Sequence, residues 1–120
     1  MRGMWRFFSS GDLELVHSFL MMPLPQARHL VLLALKRRLK RHRGQMALIR
    51  PKHIARELGL AAHPALLTLI KSILEELDVI EVDGSRWVRG PRRSYKSHGC
   101  GYYFLRAQPR AVEVMASEQG

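Results

Sequence analysis

Residues 49–84, IRPKHIARELGLAAHPALLTLIKSILEELDVIEVDG, change their hydrophobic period partway along, and that change organises the chain. Pro51 sits where a helix can begin, because its missing N–H is not needed in a first turn. Ile54, Ala55 and Leu58 then share one side of a helix of about eight residues, which Gly59 stops. Residues 60–63 make a tight connection, and Pro64 opens another helix that ends near Leu77 or Asp78. At about 100° per residue, Leu66, Leu67, Ile73, Leu74 and Leu77 lie within about 60° of Ile70. Pro64, Ala65, Thr68, Lys71, Ser72 and Glu75 point the other way. Beyond this helix the period becomes two. Residues 79–83 read as a strand, Asp83-Gly84-Ser85 as a hairpin turn, and residues 86–89 as the returning strand.

Working outward, residues 12–22 predict a short helix capped by Ser9, Ser10 or Asp12 and closed by Pro23. Leu13, Val16, Phe19 and Leu20 form its apolar stripe. Pro25 opens a longer helix that runs to about Arg43 and ends at Gly44, with Val31, Leu32, Leu35 and Leu39 inward. Met46, Leu48 and Ile49 mark a short extended stretch. Downstream, residues 90–101 (GPRRSYKSHGCG) predict a polar loop, and residues 102–106 a final strand. The tail from Gln108 is weakly patterned, with at most one helical turn over residues 112–115. The expected class is α+β, mostly α, with three to four helices and a β-hairpin. The expected organisation is an N-terminal segment 1–23, a domain 24–107 and a flexible tail 108–120.

The 120 residues suffice for one domain, and the 47% hydrophobic content suffices for its core. Charge is the most informative bulk property: twenty Lys+Arg against ten Asp+Glu, a formal net charge of +10. Such a charge repels itself in so small a body unless a polyanion relieves it, which suggests nucleic acid, an anionic membrane surface or an acidic protein. The charges fall in blocks. Residues 28–56 hold ten basic residues and no acid; residues 57–83 hold six acids against Lys71; residues 86–110 hold seven basic residues and no acid. That alternation predicts faces of opposite field. A single cysteine, Cys100, excludes an internal disulfide and suits a reducing compartment. Asp12, Glu14 and His17 interrupt any signal-like run, and no stretch reaches the ~20 apolar residues of a spanning helix. The expectation is a soluble, cytoplasmic protein without membrane contact.

The order helix, short helix, tight turn, amphipathic helix and hairpin resembles the winged helix-turn-helix nucleic-acid-binding superfamily, in the manner of its small, basic, archaeal-type members. The residues that carry the resemblance are "IRPKHIARELGL" and "HPALLTLIKSILEELDVIEVDG". Within them, residues 74–80 (LEELDVI) match the passage from the recognition helix into the wing, with Asp78 where glycine is usual. That departure implies either a left-handed Asp78 or a different helix exit. The resemblance implies a fold and leaves the partner open, since winged helices bind DNA, RNA, ribosomes or proteins. It also makes residues 12–22 the candidate contact of a homodimer.

Three surfaces are candidates for nucleic-acid contact. The first is the end of the long helix: Lys36, Arg37, Lys40, Arg41 and Arg43, with Lys52 just beyond. Such a run can be only a solvated face, but six cations in the eight residues 36–43 exceed what solubility requires. The second is the basic loop with Arg89, Arg92, Arg93, Tyr95 and Lys96, which can follow a phosphate backbone or enter a minor groove. The third is the exposed face of the expected recognition helix, with His63, Thr68, Lys71 and Ser72. It holds no Arg, Asn or Gln for bidentate base reading. The expected mode is therefore clamping of phosphates with modest sequence preference.

Enzymatic chemistry has no support: no carboxylate pair, Ser–His–Asp arrangement or phosphate loop is present. His98 and Cys100 are too few ligands for a metal, and no cofactor is expected. Trp5, Phe7 and Phe8 read as buried against the domain or in a dimer, with an interfacial anchor as the alternative. The leading expectation is a DNA-binding protein, either a transcription regulator or a chromatin-type protein. The alternatives are an RNA- or ribosome-associated winged helix, and a protein-interaction module. For RNA, "ALIRPKHIARELGL" also loosely resembles the winged-helix protein of archaeal and eukaryotic small ribosomal subunits. For protein interaction, the acidic run Glu75–Asp83 lies beside an exposed Leu69.

Overall fold

The computed structural model describes residues 10–95 and 99–107, with side chains over 10–90 and 101–107. Four helices and four strands follow in the order α1 (Ser10–Met21), α2 (Leu24–Arg41), β1 (Met46–Ile49), α3 (Pro51–Glu57), α4 (Pro64–Glu76), β2 (Val79–Val82), β3 (Ser85–Tyr95) and β4 (Gly99–Ala107). The protein is α+β and mostly helical, with one antiparallel sheet in the order β1-β4-β3-β2. Trp5, Phe7, Phe8, Lys96, His98 and the tail 108–120 lie outside the described residues.

The helices end where their backbone groups find partners. Pro25, Pro51 and Pro64 each occupy the first turn of a helix, where no N–H is required. His63 caps α4 by accepting the Ala65 N–H on Nδ1 (3.1 Å). At the other end of α3, Gly59 (φ +72) turns left-handed, and Leu60 N–H bonds Ala55 O while Gly59 N–H bonds Arg56 O. This pair of bonds is the Schellman motif. Nothing lies within 4 Å of a Cβ added at Gly59, so Gly59→Ala costs only backbone strain. Its expected effect is a loss of about 1 kcal/mol in denaturant unfolding, with an unchanged far-UV spectrum.

One core joins every layer. Val16 and Phe19 of α1, and Val31, Leu35 and Leu39 of α2, meet Ile54, Leu66, Ile70, Ile73 and Leu74. The inner face of the sheet adds Ala47, Ile49, Ile80, Val82, Trp87, Tyr102 and Phe104. Leu69, expected to be exposed, is half-buried against this core, which weakens any patch built on it. No single helix among the described residues is long and apolar enough to cross a membrane; α1 and α2 together reach the length but bend by 117° between them.

One sequence expectation changes in the strands, and one alternative is settled. The polar loop expected over 90–101 is largely strand: β3 continues to Tyr95 and β4 begins at Gly99. Arg92 pairs with Tyr102, Arg93 with Gly101, Ser94 with Cys100 and Tyr95 with Gly99. Between Arg89↔Phe104 and Arg92↔Tyr102 the register shifts by one residue, a bulge containing Gly90 and Pro91. A proline belongs there because the bulged residue does not have to donate to the ladder. Composition suggested a loop, but cross-strand pairing decides. At Asp78 the different helix exit is the alternative found. The helix leaves through an extended Leu77 (φ −93, ψ 121), so Asp78 needs no left-handed backbone. The left-handed Asp is Asp83 (φ 49), which with Gly84 (φ 79) makes the two-residue turn between β2 and β3. Positive φ at both positions is the type I′ signature that matches strand twist.

Candidate nucleic-acid interface

The ion pairs decide which cations remain available. The acidic block expected to form a face of its own instead ties itself to the basic blocks on either side. Arg28 grips Glu76 with two hydrogen bonds (2.9 and 3.2 Å), and Lys40 Nζ lies 3.5 Å from Asp83. Arg41 holds Glu57 through both terminal nitrogens, and Arg86 reaches Glu81 at 2.9 Å. Arg89 approaches Asp78 at 3.4 Å, and Tyr102 Oη donates to Glu75 at 2.6 Å. Every acid of residues 57–83 is thereby engaged. The Arg41 hydrogen bonds also hold the Glu57 carboxyl below its ordinary range.

Helix periodicity divides the cations of α2 between two flanks. Lys36, Arg37 and Lys40 line a groove of about 300 Å³ with Leu33, Glu81, Val82 and Asp83. Two carboxylates therefore face these cations. Arg41 turns the other way, toward α3, and is committed to Glu57. Arg43 is exposed beyond the helix end. Among the described residues no ion pair engages Lys36, Arg37, Arg38, Arg43, Lys52, Arg56 or Lys71.

Of that set, Lys52 is a candidate from the sequence, whereas Arg38 and Arg56 are not singled out there. Together with Arg50 they surround His53, whose Nδ1 accepts the Arg50 N–H at 3.1 Å. Burial, then the charges of Arg38, Lys52, Arg50 and Arg56, push His53 down from 6.5 to about 4. Burial is the larger cause, and the cations of α2 and α3 act on His53 in the same direction. Lys52 and Arg56 stand four apart on α3, a spacing visible in the sequence; Arg38 joins them only through the packing of α2 on α3. Between pH 6.5 and about 4 the unfolded chain binds a proton at His53 that the folded chain refuses. Stability therefore falls as pH drops through that window. The expected loss is on the order of 1–2 kcal/mol after allowing for partial exposure, and His53→Gln removes that share of the slope in urea titrations at pH 7 and pH 4.5.

The polar groups of the expected recognition face are largely turned inward. His63 caps its own helix, Thr68 Oγ1 donates to Pro64 O (3.0 Å), and Ser72 Oγ donates to Leu69 O (2.7 Å). Lys71 is half-buried, and Glu75 lies one turn further on. This face offers little charge and few directed donors.

Arg89 also departs from its expected role. Its Nε donates to Leu77 O (2.7 Å) at the end of α4, and its guanidinium lies 5.9 Å from the Tyr102 ring centroid. Arg106 does the same at the other end of the sheet: Nη2 donates to His42 O (2.9 Å) and the guanidinium stacks 4.7 Å from the Trp87 centroid. Each arginine ties the sheet to the negative end of a helix. Arg92, Arg93 and Tyr95 lie on the extended part of β3, backbone paired.

The strand register fixes where the blocks sit. Arg106, the Asp83-Gly84 turn and the end of α2 share one end of the sheet. Gly101, Tyr102, Arg92 and Arg93 share the other, with the entry to α3 beside them, because Ile49 pairs with Tyr102. Seven residue steps along β4 separate Arg106 from Gly99, about 24 Å at 3.4 Å each. The two basic blocks therefore stay apart, and Lys52 rather than Lys36 lies toward the ribbon. Among the described residues no group of three His, Cys, Asp or Glu could hold a metal ion. Comparison with protein-family models, with curated proteins and with solved structures returns no match for this chain.

Proposed function

We propose that this chain is a winged helix-turn-helix nucleic-acid-binding module that grips duplex DNA mainly through phosphates. The observation that carries the reading is the distribution of charge left after ion pairing. The acids of residues 57–83 are all engaged, Arg38, Lys52 and Arg56 are among the described cations that no ion pair engages, and the sequence of the β3–β4 ribbon holds no acid. The element order supports it: helix, strand, two helices and a hairpin whose last strand returns to pair with β1. β2 is an additional edge strand in that scheme. A two-stranded antiparallel ribbon has dimensions that the DNA major groove admits. The α4 face carries little that reads bases, so binding is weakly selective, closer to a chromatin-type protein than to a regulator with one strict site.

Fluorescence anisotropy of a labelled duplex of mixed sequence, repeated over a salt series, tests the proposal. With Arg38, Lys52, Arg56, Arg92 and Arg93 on phosphates, the expected slope of log affinity against log salt is about −4 to −5. No binding at low salt, or a slope flatter than about −1, overturns it. Tighter binding to an RNA stem-loop at equal salt moves the reading to the RNA-associated alternative.

A further inference from the structure

The outer face of the sheet carries a feature that nucleic-acid binding does not use. Side chains alternate along each strand, and the inner set is in the core. On the outer side, the register places Met46 opposite Leu105, Leu105 opposite Val88, and Val88 opposite Val79. These four form one apolar row across all four strands, and they are 53%, 44%, 38% and 54% exposed. Leu48 and Tyr103, paired in the next row, extend it as half-buried neighbours. Leu48 leans across Gly101, where an added Cβ would lie 2.9 Å from Leu48 Cδ1. The row on the other side ends in Arg86 and Glu81, which neutralise each other at 2.9 Å.

We infer that this face is the contact between two copies of the chain. Its charge favours that occupant. In a protein of net charge +10, most surfaces repel their own copies; beside this row Arg86 and Glu81 cancel each other, and the cation Arg50 lies at the Gly101 end of the face. The apolar row itself gives phosphates nothing to hold, and gives an acidic protein less than the cationic cluster at α2–α3 offers. Shape and size agree. A straight row across a sheet meets itself under a two-fold axis, as in the aligned stacking of two sheets about 10 Å apart. Four strands about 4.8 Å apart and four paired residues deep cover on the order of 300 Å² in projection. That is below the about 800 Å² per partner of a standard interface and fits a weak, reversible dimer. The expected contact at α1 is less favourable, because Val16 and Phe19 of its stripe are already in the core. A dimer built on this row leaves the helical side of each copy, with its α2–α3 cluster, facing outward, which gives a bivalent binder.

Sedimentation velocity without nucleic acid, at about 0.3 M salt to screen charge, tests the inference separately from the binding proposal. The expected result is a reversible dimer whose dissociation constant rises at least about tenfold in Val88→Glu and in Leu105→Glu, and is unchanged in Leu15→Glu on α1. Mixing Val88→Glu with Val88→Lys restores association, which a merely misfolded variant cannot do. A monomer at concentrations up to about 200 µM overturns the inference and leaves the face to another partner. A dimer broken by Leu15→Glu and untouched by Val88→Glu overturns it in favour of α1.

Discussion

Replacing Arg92 and Arg93 together by glutamate is expected to weaken duplex binding about a hundredfold or more at about 0.1 M salt. The estimate follows from counterion release: each phosphate contact changes affinity by nearly a factor of ten at that salt, and its loss flattens the salt slope by about 0.9. Reversal adds repulsion to that loss. The paired substitution Lys36→Glu with Lys40→Glu alters the net charge by the same amount. It acts at the opposite end of the sheet, beside Glu81 and Asp83, and should cost less than about tenfold. Equal losses from the two pairs would mean that net charge alone drives binding, with no localised contact. The comparison therefore tests the position of the interface as well as its existence.

Arg89→Ala should cost about 2–3 kcal/mol of folding stability, or roughly a 10 °C fall in melting temperature, while leaving duplex affinity within about threefold when measured on folded protein. The guanidinium is partly buried, closes the end of α4 through Leu77 O and covers Tyr102, so truncation strands a carbonyl and uncovers an aromatic. Arg106→Ala acts by the same means at the end of α2, with a somewhat smaller effect. Its stack on Trp87 is closer, but its buried Nε has no acceptor among the described residues, an existing penalty that the substitution removes. Lysine does not rescue either position, because both depend on a planar fork that donates and stacks at once. Calorimetry of the four variants, with anisotropy at a temperature where each is folded, separates this structural role from contact with nucleic acid. A binding loss in Arg89→Ala as large as that of the Arg92–Arg93 reversal would reassign Arg89 to the interface.

Helix boundaries were legible because their causes are local. Proline in a first turn, Gly59 after α3 and the apolar stripe of α4 act within a few residues, and the observed limits fall within about two residues of those read from the pattern. The Asp83-Gly84 turn was legible for the same reason. The extension of β3 and β4 was not. Residues 90–101 are polar and glycine-rich, and their strand character comes from partners across the hairpin. Strand propensity reflects a strand's neighbours more than its own residues.

The sequence by itself determined the class of fold, the excess of positive charge and the two acid-free stretches that carry it, since these depend on composition and short-range periodicity. Only the tertiary structure decided which cations are free. It committed Arg28, Lys40, Arg41 and Arg89 to acids from the intervening block, and it gathered Arg38, Lys52 and Arg56 around His53. It also aligned Met46, Leu105, Val88 and Val79 into one exposed row. Ion pairing and cross-strand register depend on distances between residues far apart in the chain, and those distances exist only once the helices pack and the strands pair.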